Sequence, residues 1–295
     1  MAGRCSFGVF GLVLWGLLLG NAALLRAETV PVGAAACGEF VPPAAGTVKI
    51  VVGSSLLADI VLDLVDGKAS VLTMVPGSSC PGHETVKTTD LLFAAHADLI
   101  LVHAFQRELP WLSALKGAMQ DGRGRVLVAE TEGSWLVPAV QKEAVRDVAA
   151  RLAETFPAWR DGLLERAGRR LSRVESVERT ALDRLAPLRG AVVAASEMQA
   201  ELVRWAGFEV AVTFGRPEAM QPLELVRQTE LLRRKQAVGV VDNLQSGADA
   251  GLPLAAELGV PHVVLSNFPG FREDVPDYDA LLCYNVGELL KLGTE

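Results

Sequence analysis

The chain has 295 residues, half of them hydrophobic and only 6% aromatic, with a formal net charge of -7. That composition can bury a sizeable core without disulfide staples. The acidic balance and the shortage of aromatics exclude the basic, base-stacking surface of a nucleic-acid binder.

Residues 1–27 read as a secretory signal peptide: a basic start at Arg4, an apolar run from Phe7 to Leu25, and small Ala27 before Glu28. The alternative is a retained membrane anchor, since a run of this length just spans a bilayer. Of the four cysteines, Cys5 leaves with this segment. Cys37, Cys80 and Cys283 remain, an odd number that gives no disulfide framework. Residues 28–46 are small, Pro-bearing and weakly patterned, and read as a flexible leader.

From residue 47 the pattern changes. Residues 48–52 are a buried strand, and 56–65 repeat apolar side chains at helical spacing until Asp66-Gly67. A second strand covers 71–75 and stops at Pro76-Gly77. A helix at 89–95 follows, then a strand at 99–102, a helix at 111–119 and a strand at 126–128. Strands alternating with helices predict parallel βαβ units. Between 158 and 185 the pattern is helical throughout. Trp159, Leu163, Ala167, Leu171, Val174, Val177, Leu182 and Leu185 recur every few positions among Arg and Glu, which predicts one amphipathic helix of roughly 40 Å. Alternation then resumes. Strands are expected at 191–194, 209–212, 238–241 and 263–265, and helices at 198–206, 222–234, 252–258 and 281–292. The expected fold is therefore α/β. A parallel-sheet lobe at 47–155 and another at 188–295 are joined by a single long backbone helix at 156–187. The ligand is expected at the carboxyl ends of the strands.

The residues at those strand ends set the candidate chemistry. Cys80 and His83 lie three apart in a Pro/Gly loop, and thiolate and imidazole are both good ligands for zinc and similar ions. His103 and Glu197 each follow a strand. Asp242, Asn243 and Gln245 cluster after another, and Ser266 and Asn267 follow the last; Gln199 sits at a helix start. Each also has a structural reading: a buried small thiol for Cys80, a packed imidazole for His103, a dipole-favoured carboxylate for Glu197, turn chemistry for Asn243. His96 and His262 are not at strand carboxyl ends and read as structural.

Several stretches resemble the solute-binding proteins of zinc and manganese ABC importers, the cluster A-I receptors. They are Ile50 to Ile60, the Val75-Pro76-Gly77 loop running to His83-Glu84, Ala97 to Leu101 with Glu108 and Trp111-Leu112, and Trp135-Leu136 with Pro138. The resemblance runs from about Val48 to the end of the chain. It implies a periplasmic, non-enzymatic receptor, monomeric, that hands a transition metal to an inner-membrane ABC permease. The implied cargo is Zn2+ first, with Mn2+, Fe2+, Co2+ or Ni2+ as alternatives. It also implies that the long helix limits lobe motion. His83 fills the family's first ligand place. The second place falls on Gly133, the third on Ser196 or Glu197, and the fourth on Ser266. The expected metal set is then His83, Cys80, Glu197, Asp242 and His103, with Gln199, Asn243, Gln245, Ser266 and Asn267 around it. Two alternatives stand beside it. One is the same fold taking a metal chelate or small organic solute. The other is a thiol hydrolase built on Cys80 and His83, for which no residue is placed to orient the base.

Overall fold

The computed structural model describes residues 46–80, 85–120, 124–216, 218 and 222–293. The expected signal peptide, nearly all of the leader, and His83 lie outside them. Among the described residues no helix is long and apolar enough to cross a membrane.

The first lobe runs β1 (Val48–Val52), α1 (Ser55–Val65), β2 (Ala69–Thr73), α2 (Thr88–Ala94), β3 (Leu99–His103), α3 (Pro110–Ala118), β4 (Arg125–Ala129) and α4 (Pro138–Thr155). The long helix α5 (Arg160–Leu185) follows, between short 3-10 turns at Pro157–Trp159 and Ala186–Leu188. The second lobe runs β5 (Val192–Ser196), α6 (Ala200–Trp205), β6 (Glu209–Phe214), α7 (Pro222–Arg234), β7 (Gly239–Asn243), α8 (Leu252–Leu258), β8 (His262–Leu265) and α9 (Tyr278–Leu290). Both sheets are four-stranded and fully parallel, ordered β2-β1-β3-β4 and β6-β5-β7-β8. The lobes thus repeat one topology. In each, the chain goes to one side of the first strand and then crosses to the other. That leaves a crevice at the carboxyl ends of β1 and β3, and another at β5 and β7.

Local chemistry explains the ends. Ser54 caps α1, its Oγ accepting from Leu57 N at 3.2 Å. Asp66 ends that helix with φ 51°, followed by Gly67 at φ 74°. Asp277 caps α9 through Ala280 N at 2.8 Å. Residues 138–155, for which the sequence pattern predicts no helix of their own, form α4. Pro138 starts it, and Ala144, Val145, Val148, Ala149 and Leu152 make its buried stripe. Strand β2 lies two residues earlier than the expected 71–75, in register with β1 from Val48↔Ala69 to Val52↔Thr73.

Helix α5 packs on α1 and α4 of the first lobe and on α9 of the second. A single hydrophobic cluster therefore runs through it, from Ile50, Leu64 and Leu152 by way of Leu163 and Val174 to Leu281 and Leu289. Buried within this helix, Arg170 pairs with Asp59 and, at 3.2 Å, with Asp63, both on α1. Asp59 also accepts from Tyr278 N of α9 at 3.1 Å. Burial raises the Asp59 pKa, and Arg170 works against that rise. One ionic cluster thus joins both lobes to the rod.

Candidate functional site

A cleft of about 700 Å³ lies between the lobes, walled by the loops that leave the strand carboxyl ends. On the first lobe's side are Cys80, His103, Phe105 and the segment Thr131 to Leu136; on the second's, Glu197, Met198, Arg216, Asn243, Gln245 and Asn267. The lobes are strapped around it by direct hydrogen bonds. Gln245 Nε2 donates to Gly77 O at 2.8 Å, Ser55 Oγ to Pro269 O at 2.8 Å, Tyr278 Oη to Leu136 O at 2.9 Å, and Ser134 N to Glu201 Oε2 at 2.7 Å. At Gly77 an added Cβ would stand 2.2 Å from Pro269 O, so only glycine permits this approach.

His103 ends β3 at the first lobe's crevice. It is buried, with its ring edge-on to Trp135 at 4.3 Å and stacked near Phe105 at 5.2 Å. Burial pushes its pKa down to about 3, so the ring is neutral at ordinary pH. Its Nε2 lies 2.7 Å from Ser54 Oγ. In the tautomer where Nε2–H donates to the serine, Nδ1 keeps its lone pair. Ser54 serves twice, as helix cap and as orienter of the imidazole.

The expected residues divide. Cys80, His103 and Glu197 line the one cleft, together with Asn243, Gln245 and Asn267. Asp242 does not, and the reason is strand alternation. The sequence predicts it in the loop after a strand, but it sits inside β7, where successive side chains face opposite sides. Its carboxylate is fully buried. Oδ2 accepts from Gly251 N at 2.8 Å and lies 2.6 Å from His262 Nε2. Burial raises its pKa, and the His262 bond counters the rise. Asp242 is therefore committed to the far side of the sheet.

The polar residues around the cleft form a network. Asn243 Oδ1 accepts from Gln245 N, Ser246 N and Ser246 Oγ at 2.9 to 3.0 Å, an Asx turn that fixes the loop. Ser266 Oγ receives Gln245 Nε2 at 2.8 Å, and Gln245 Oε1 accepts from Asn267 N at 3.0 Å. Gln199, buried at the start of α6, donates to Asn267 Oδ1 at 2.8 Å. At the position on which the family's fourth ligand place falls, Ser266 thus holds a glutamine. Gly133 has φ 87° and a rim position. Among the described residues no three His, Cys, Asp or Glu side chains converge as a ready-made metal centre.

Residues unforeseen from the sequence also face the cleft: Phe105, Met198, Glu201 and Arg216. Arg216 Nη2 donates to Cys80 Sγ at 3.1 Å across the lobes. Nothing local marks Arg216, which only follows an edge strand. Trp135 was legible only through the family resemblance.

Two α/β lobes on a shared backbone helix, with a cleft between opposed strand ends, are the architecture of a two-lobed solute-binding protein. The chain belongs to the family described as zinc-uptake complex component A, periplasmic, whose model matches residues 50–291. No curated protein matches the chain. Among solved structures, a periplasmic metal-binding protein from Candidatus Liberibacter asiaticus superposes with a TM-score of 0.71 at 14% identity, covering 83% of this chain and 99% of that one. Its Mn-bound form gives the same TM-score and identity, covering 83% and 98%. A crystal structure of ZnuA gives 0.69 at 19% identity, covering 84% and 100%. At such identities these structures establish the shared fold.

Proposed function

We propose that the protein is a periplasmic receptor, acting as a monomer without catalysis, that captures a transition-metal ion in the inter-lobe cleft and delivers it to an inner-membrane ABC permease. Zinc is the favoured cargo, with Mn2+, Fe2+, Co2+ and Ni2+ as competitors. The observation that carries the reading is a thiol, a neutral imidazole and a carboxylate (Cys80, His103 and Glu197) lining one cleft in a chain of this family. Sulfur and nitrogen donors favour zinc-like ions over calcium or magnesium. A ligand histidine must be neutral, and His103 is kept so by burial. His83 joins the set by family resemblance. Gln199, Asn243, Gln245, Ser266 and Asn267 shape the cleft around the ion. Solved relatives were determined with manganese and with cadmium bound, which supports a divalent transition-metal cargo.

The test is calorimetric titration of the chelator-stripped protein, under reducing conditions, with each of the five ions. One tight equivalent of zinc is expected, weakened at least tenfold in Cys80→Ser and lost in His83→Ala. Full affinity in both variants refutes this ligand set. No binding of any ion refutes the metal reading itself.

A further inference from the structure

The cleft is built for more than an ion. A metal needs a few donor atoms at roughly 2 Å, whereas about 700 Å³ lies within the range of small-molecule pockets, ~300–1,000 Å³. It shares Glu197, Met198, Arg216 and Ser246 with an adjoining cavity of about 450 Å³. Two apolar side chains on its walls stand open, Phe105 at 60% and Met198 at 54% exposure. A hydrated cation has no use for apolar walls; a carbon skeleton does.

The charges point the same way. Arg216 reaches Cys80 Sγ at 3.1 Å, and no carboxylate among the described residues pairs with its guanidinium. A bare dication on that sulfur would meet a fixed positive charge beside it. Asn243 adds a second donor. It is fully buried, its Oδ1 is held by three donors from Gln245 and Ser246, and that fixes which way the amide points. Its Nδ2 then has no partner among the described residues. A cation has no bond to make with an N–H group. A carboxylate oxygen has two available here, and guanidinium–carboxylate recognition is the stronger.

We propose that the cargo is a metal ion already complexed with a small organic carboxylate. Arg216 and Asn243 receive the carboxylate oxygens, Phe105 and Met198 contact the carbon skeleton, and the metal faces Cys80 and Glu197. This rests on the metal reading above and names the form in which the metal arrives. The complex is bound as a unit, with no bond made or broken in the chelator.

The experiment titrates the full, metal-stripped protein with zinc alone and with zinc as its picolinate, histidine or citrate complex, at matched free zinc. Each chelator is also titrated without metal. At least one complex should bind tenfold or more tighter than zinc alone. Arg216→Gln should remove that gain while zinc alone binds at least as tightly as in the wild type, because the positive charge beside Cys80 is gone; Arg216 is exposed, so the substitution spares the fold. The proposal is overturned if binding tracks free zinc with all three chelators, if a chelator binds equally well without metal, or if Arg216→Gln binds the complex like the wild type. Zinc bound alone, with every chelator merely competing, overturns this proposal and leaves the metal-receptor reading standing. No zinc bound in any form overturns both.

Discussion

Replacing Arg170 with methionine tests whether the rod and lobes are held by one buried ionic cluster. Arg170 is 3% exposed and bonds Asp59, Asp63 and the Asp59 carbonyl at 3.3 Å. Methionine keeps the stem and removes the charge, leaving Asp59 buried with only the Tyr278 N–H to answer it. Removing one partner of a buried pair costs about 3–5 kcal/mol, because the other charge is stranded. With a urea m-value near 3 kcal/mol per M, the midpoint should fall by roughly 1–2 M. The pH dependence carries the sign. Burial already raises Asp59 above the usual carboxylate value, so the native state binds its proton more readily than the unfolded chain does. That contribution is lost as pH rises through the folded pKa. Without Arg170 the folded pKa climbs further, so the variant's deficit should be largest at pH 7 and shrink toward pH 4.5. Adding Asp59→Asn removes the stranded charge and should recover part of the loss at pH 7. Urea unfolding of the single and double variants at both pH values is the assay. A deficit under about 1 kcal/mol at pH 7, or one that does not narrow in acid, refutes the cluster's role.

Three further outcomes follow from the geometry. His103 has a folded pKa of about 3 against 6.5 unfolded, so stability should fall as pH drops from 6.5 toward 3, by up to about 1.4 kcal/mol per unit. Denaturation across that range should show a shallower slope in His103→Gln, and an unchanged slope means the imidazole is not buried neutral. Asp242→Asn should cost about 1–3 kcal/mol in thermal unfolding by weakening the bonds to His262 and Gly251, yet leave zinc affinity unchanged; a tenfold loss of affinity would return Asp242 to the ligand set. Gly77→Ala drives a Cβ into Pro269 O and Phe271 N, and should destabilise by about 1–3 kcal/mol and weaken ligand binding. Gly117→Ala, with open space at its Cβ in α3, should stabilise slightly; equal behaviour of the two in thermal unfolding would deny the close approach of the lobes at Gly77.

The alternation of apolar strands and amphipathic helices is local, so it was readable along the chain: two βα lobes, a long helix between them, loops at the strand ends. Helix α5 was found within two residues at its start because Leu163, Ala167 and Val174 keep their spacing whatever they pack on. Helix α4 carried the same kind of signal in Ala144, Val145, Val148 and Leu152, and was legible in principle. Strand ends also located Cys80, His103 and Glu197 near the cleft, since parallel strands send their carboxyl ends to one side.

Pairings across space were not readable. Asp242 looked like a loop residue because one more residue of strand changes which face a side chain takes, and β7 extends through Asn243. Only the fold shows that Asp242 meets His262, that Ser54 orients His103 from 49 residues away, and that Arg216 reaches Cys80 across 136. Short-range periodicity is set by backbone geometry and is written in neighbouring residues. Which distant side chains meet, and with which charge, depends on how the two sheets face each other across α5, and that was decided only when the core closed around it.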